Sequence, residues 1–231
     1  MMFDPTRVQA IFFDLDGTLV DTDDVAVARL AGPLSYLLGR RAERFARWFM
    51  MTIETPGNAF ITLLDWLHLD PYALRIRHAL RRRFERTPKV YQLIPGVDAL
   101  LAELNGRFPL ALVTSRSQHS IDAFLAQFPE IAAAMTTTCG IQDSVRIKPH
   151  PEPILLAASR VGVPVEACLM VGDTRMDVLA GKRAGAQMVA VLCGYGERRE
   201  LARAGADLIL ENTADLGWWL RAEGAADPSG T

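Results

Sequence analysis

Ala10-Ile11-Phe12-Phe13-Asp14-Leu15-Asp16-Gly17-Thr18-Leu19 decides the architecture of this chain. Four apolar residues in a row, ended by a carboxylate, fit a short strand covered on both faces. Parallel sheets sandwiched between helices are built from such strands, whereas a strand with one wet face alternates apolar with polar. The second acid and Gly17 mark where the strand stops, and a residue without a side chain lets the chain turn tightly after the two acids.

Downstream of this strand the period changes. From about residue 23 to residue 86, segments such as Arg41-Ala42-Glu43-Arg44-Phe45-Ala46-Arg47-Trp48-Phe49-Met50-Met51 space their apolar residues three and four apart, as helices do. Gly32-Pro33 and Pro56-Gly57 interrupt this pattern, and Ile94-Pro95-Gly96 ends it. Beyond Gly96 the rhythm is helix 97–105, strand 110–114, helix 121–128, strand 136–139, helix 152–161, strand 167–171, helix 175–184, strand 188–192, helix 198–204, strand 207–210 and helix 214–221. Strands alternating with helices imply an α/β fold, a doubly wound parallel sheet. The expected organisation is a Rossmann-like core from residues 1–20 and 95–231, with an all-helical cap domain inserted at 21–94.

With 231 residues, half of them hydrophobic, the chain can bury one large core and a smaller satellite. The opening residues carry Asp4, Pro5 and Arg7 and do not read as a signal peptide. No apolar run approaches the roughly 20 residues that span a bilayer. A cytoplasmic protein without membrane contact is expected. The total of 25 basic against 27 acidic residues argues against a nucleic-acid partner. The distribution is uneven, because residues 22–94 hold 12 Lys/Arg against 7 Asp/Glu. Cys139, Cys168 and Cys193 are widely spaced among apolar neighbours and read as free buried thiols. Neither they nor His68, His78, His119 and His150 fall at zinc-ligand spacing.

Doubly wound sheets bind ligands beyond the carboxyl ends of their strands. Those ends carry Asp14 and Asp16, then Thr114 and Ser115, then Gly172-Asp173 with Asp177 one helical turn on; Lys148 lies in the loop between. Several carboxylates crowded in a partly buried site repel one another, and a hard cation is the simplest device that keeps them ionised. Oxygen ligands favour Mg²⁺, which retains waters and accepts phosphate oxygens. Lys148 supplies positive charge for such oxygens and Thr114 a hydroxyl donor. A carboxylate can then attack phosphorus.

Four motifs now stand in series. Phe12-Phe13-Asp14-Leu15-Asp16-Gly17-Thr18-Leu19, Leu112-Val113-Thr114-Ser115, Lys148-Pro149-His150-Pro151 and Val171-Gly172-Asp173-Thr174-Arg175-Met176-Asp177 resemble the four motifs of the haloacid dehalogenase-like superfamily, in its phosphatase branch with a helical cap, the phosphoglycolate phosphatase-like proteins. The resemblance implies that Asp14 is the nucleophile and becomes an aspartyl-phosphate, and that Asp16 serves as general acid and then general base. It implies Mg²⁺ held by Asp14, the Asp16 carbonyl and Asp173, with Asp177 bracing the metal's waters or Lys148 from behind. Thr114, Ser115 and Lys148 are the implied phosphate-binding residues. The implied partner is a small phosphorylated metabolite, acted on by a monomer or homodimer.

Other readings are open at this stage. A sugar phosphomutase shares all four motifs, and a non-catalytic binding protein could keep the fold. A dehalogenase has no use for Asp16, and a phosphonate-cleaving relative needs a cap lysine where only Lys89 stands, at the edge. The chain departs from the family's usual continuation by running Val20-Asp21-Thr22-Asp23-Asp24, and its cap matches no specificity pattern. Phosphorylated sugars, phosphoglycolate-like acids, nucleotides and pyrophosphate all fit a basic lid. Arginines of the insert, such as Arg40, Arg44 and Arg81, read as solvated helix faces; Trp48 and Trp66 read as cap core. Gly194-Tyr195-Gly196 reads as a plain turn.

Overall fold

The computed structural model describes residues 3–21 and 90–221. Within them six parallel strands, β1 (Ala10–Phe13), β2 (Leu110–Val113), β3 (Met135–Cys139), β4 (Cys168–Gly172), β5 (Gln187–Val191) and β6 (Leu208–Leu210), form one sheet in the order β3-β2-β1-β4-β5-β6. The chain winds outward from β1 to β3, crosses back to lay β4 against the other side of β1, and winds outward again. This reversal is the topological switch point, where a doubly wound sheet opens a crevice at its carboxyl edge. Phe13 pairs with Leu112 of β2 and with Val171 of β4, so Asp14 leaves the sheet level with the ends of both neighbours.

The unbroken apolar strands follow from cover on both faces. Ile11, Phe13, Leu110, Leu112, Leu169 and Val171 point into one hydrophobic cluster, completed by α1 (Val97–Leu104), α2 (Gln118–Gln127), α3 (Pro129–Ala134) and α7 (Leu216–Arg221). The alternate residues Ala10, Phe12, Ala111, Val113, Cys168 and Met170 point into the second, with α4 (Glu152–Val161), α5 (Arg175–Ala184) and α6 (Arg198–Ala204). The period of two thus appears as two cores, not as a wet and a dry face.

The helices expected at 152–161, 175–184 and 198–204 have those bounds. Helix α3 was not foreseen. Pro129 opens it in the first turn, but six residues with only Ile131 and Ala134 buried give too little periodicity to read. The helix expected at 214–221 begins instead as a 3₁₀ turn, Thr213–Asp215, capped by Asn212, and becomes α7 at Leu216.

The expected cap at 21–94 lies outside the described residues apart from Asp21 and residues 90–94, and the arginines and tryptophans named for it lie outside too. At its two ends the chain pairs with itself. The Asp21 N–H donates to the Gln92 carbonyl at 2.8 Å, the Ile94 N–H donates to the Leu19 carbonyl at 3.0 Å, and Val20 bridges Leu93 in antiparallel sense. Among the described residues no helix is long and apolar enough to cross a membrane. Cys139 and Cys168 are buried free thiols, while Cys193 is only half-buried.

Candidate active site

Asp14 follows β1 directly, and its N–H continues the ladder onto β4 by donating to the Val171 carbonyl at 2.9 Å. The backbone is therefore fixed where the carboxylate begins, and the side chain is buried. Lys148 reaches it from the loop between β3 and α4. Its Nζ donates to Asp14 Oδ1 at 2.6 Å, to Asp177 Oδ1 at 2.6 Å and to the Val113 carbonyl at 3.0 Å, which uses all three donors of an ammonium. Asp177 is engaged on its other oxygen as well. Thr174 caps α5 by accepting from the Asp177 N–H, and its own N–H and hydroxyl donate to Asp177 Oδ2, the reciprocal arrangement of a capping box. Gly172 makes room for this, since a Cβ there would stand 2.4 Å from Asp177 Cβ.

Asp173 is fully buried at the end of β4. Its Oδ2 accepts the Tyr195 N–H at 2.8 Å, whereas its Oδ1 has no hydrogen-bond partner among the described residues. Oxygens of Asp14, Asp173 and Asp177 all lie within 4.8 Å of one another. Burial pushes the Asp14 carboxyl up to about 7, against the pull of Lys148. Burial likewise raises Asp173 well above the carboxylate range, and the charges of Asp177 and Asp14 add to the shift. Burial alone would lower the Lys148 ammonium, but Asp14 and Asp177 outweigh it and hold it above its ordinary value. One ammonium therefore stands among three crowded acids and bonds only two of them, Asp14 and Asp177. An orphaned buried carboxylate oxygen within an oxygen-only donor set fits a hard divalent cation such as Mg²⁺, which would hold Asp14 and Asp173 ionised.

The remaining expected residues stand around this centre. Thr114 is buried at the end of β2, where its N–H donates to the Cys139 carbonyl and its Oγ1 accepts the Arg116 N–H at 3.2 Å. Ser115 is exposed on the loop that follows. Asp16 does not join the buried acids. Both its oxygens accept from Arg116, Oδ2 from Nε at 2.6 Å and Oδ1 from Nη2 at 2.7 Å, a charge-assisted two-point contact at the rim.

The structure corrects the reading of Gly194-Tyr195-Gly196 as a plain turn. The loop after β5 lies against Asp173. A Cβ at Gly194 would meet Asp173 Oδ2 at 2.1 Å, and one at Gly196 would meet the Asp173 carbonyl at 2.1 Å. Gly17, at φ 72°, closes on the same oxygen, with a Cβ reaching Asp173 Oδ2 at 2.4 Å and Gly194 Cα at 3.0 Å. The available signal was position, since this Gly-x-Gly leaves a strand at the same sheet edge as the acids. Thr213 was missed as well; its Oγ1 donates to the Thr18 carbonyl at 2.6 Å and ties down the loop after β1.

Comparison with known proteins places the chain. A phosphoglycolate phosphatase from Photorhabdus laumondii subsp. laumondii is 34% identical over 221 residues, covering 90% of this chain and 91% of the relative. Pyrophosphatase PpaX from Anoxybacillus flavithermus is 28% identical over 210 residues, covering 91% and 95%. The solved structure of a hydrolase from Pseudomonas syringae is 26% identical with a TM-score of 0.68, covering 94% of this chain and all of that one. The family model for haloacid dehalogenase-like hydrolases matches residues 11–191, from the first strand through the fifth, so the chain belongs to the haloacid dehalogenase-like hydrolase family.

Proposed function

We propose that this phosphatase-type hydrolase moves the phosphoryl group of a small phosphorylated metabolite to Asp14 and from there to water, with Mg²⁺ as its cofactor. The observation that carries this reading is the Asp14–Lys148 contact at 2.6 Å inside a buried acid cluster, at the carboxyl edge of the sheet's switch point. Asp14 attacks phosphorus, an oxygen–phosphorus bond forms, and the bond to the leaving oxygen breaks. Asp16 gives its proton to that oxygen; it then takes a proton from water as the water attacks the aspartyl-phosphate, so that phosphate leaves and Asp14 is regenerated. Asp16 must first let go of Arg116, because in the present arrangement both its oxygens are occupied. Lys148, on exchanging one of its three present acceptors for the substrate, and Thr114 hold phosphoryl oxygens, and Ser115 adds a contact from the loop. Asp14, the Asp16 carbonyl and Asp173 would hold Mg²⁺, which when bound supplies positive charge to the phosphoryl oxygens. Asp177 acts through Lys148, the partner it touches.

A small phosphorylated anion as first candidate substrate is supported by the names of the two relatives, phosphoglycolate phosphatase and pyrophosphatase. The test is a panel of phosphoglycolate, pyrophosphate, sugar phosphates and nucleotides, assayed for free phosphate with MgCl₂ or with EDTA. Release of phosphate is expected from at least one, only with Mg²⁺, and lost in Asp14→Asn. Return of the phosphoryl group to another position of the sugar, without free phosphate, would identify a phosphomutase instead. Turnover unchanged in Asp14→Asn would refute the nucleophile.

A further inference from the structure

The acids of the site are not equally free to face a cation. Lys148 occupies Oδ1 of Asp14, and Lys148 and Thr174 together occupy both oxygens of Asp177. Asp173 is held differently, by backbone alone. The Tyr195 N–H fixes its Oδ2 at 2.8 Å, and Gly194 and Gly17 close on that same oxygen so tightly that a methyl group at either would overlap it. Gly196 packs as closely on the Asp173 carbonyl. Asp173 thus has one oxygen anchored, and the other, Oδ1, buried and without a hydrogen-bond partner among the described residues.

We infer that the loop Cys193–Gly196 is a positioning element for the cation: by clamping one oxygen of Asp173 it presents the other, and it thereby sets the affinity of the site for Mg²⁺. This rests on the metal site argued above and assigns a role to residues outside the four motifs. The Tyr195 side chain is not required for it, because the backbone N–H makes the contact. Partners that orient a metal ligand typically change metal affinity by about 10- to 100-fold when removed.

The test is a calorimetric titration of the metal-free protein with MgCl₂. Wild type is expected to bind, Gly194→Ala to bind about 10- to 100-fold more weakly, and Gly106→Ala, which strains its own backbone at φ 79° but whose Cβ meets nothing within 4 Å, to bind like wild type. Absence of binding by wild type would overturn the metal site itself. Wild-type affinity in a folded Gly194→Ala would overturn the loop's role and leave the metal site standing. A double-mutant cycle with Asp173→Gly, which removes the Cβ that Gly194→Ala would also meet at 2.6 Å, covers the case in which Gly194→Ala alone unfolds. If the added methyl acts by striking the Asp173 side chain, its destabilisation disappears once that side chain is gone. An equal loss of stability in both backgrounds would overturn the inference.

Discussion

Replacing Lys148 by Met tests the electrostatic heart of the site without a large change of volume. The substitution leaves Asp14 and Asp177 facing one another without their shared cation, each with a side chain no more than 10% exposed, and removes a donor from the Val113 carbonyl. Removing one partner of a buried ion pair typically costs about 3–5 kcal/mol, because the remaining charge is stranded. Each kcal/mol lowers the midpoint of a domain of this size by about 2–4 °C, so a loss of about 6–20 °C is expected in EDTA. MgCl₂ should recover part of it, since a divalent cation neutralises Asp14 in place of the ammonium. Differential scanning calorimetry with EDTA and with MgCl₂ reads both effects. A midpoint in EDTA within about 2–4 °C of wild type, the equivalent of one kcal/mol, would show that Lys148 does not hold these acids together.

Two further outcomes concern pH and local structure. The Asp14 carboxyl sits at about 7 when folded, against 3.8 for the ordinary group, so between these values this group holds more proton in the folded than in the unfolded state and its contribution to metal-free stability should fall as pH rises. Because a cation needs the ionised oxygens, the stabilisation by MgCl₂ should grow over the same window; a magnesium-induced shift in melting temperature that is flat from pH 4 to pH 7 would contradict this. Thr174→Ala removes the hydroxyl that caps α5 and one donor to Asp177, and should cost about 1 kcal/mol in urea unfolding. An unchanged midpoint would mean that the cap contributes nothing to the helix that carries Asp177.

Much of this was legible in the residues because local rules and tertiary structure agree. Ala10 to Phe13 had to be a doubly covered strand, and the alternation of strands and helices implies the parallel sheet, which puts Asp14, Thr114 and Asp173 at one edge. Lys148 was placed by its motif, but its three contacts depend on a loop path that no periodicity encodes. Asp16 shows the limit most clearly. Its position beside Asp14 was readable, whereas its capture by Arg116, 100 positions away, is a long-range choice between charges. Gly194 and Gly196 had the chemistry of a turn, and only their packing against Asp173 separates a turn from a clamp. Helix α3 was too short for its pattern to rise above noise.

The most direct measurement is to quench the enzyme with acid during steady turnover of its best substrate with MgCl₂, digest it, and locate any phosphoryl group by mass spectrometry. A phosphoryl group on the peptide that carries Asp14, absent in Asp14→Asn and discharged when turnover is allowed to finish, is the expected result. Phosphate release at full rate with no label on Asp14, by an enzyme whose Asp14→Asn variant remains active, would contradict it.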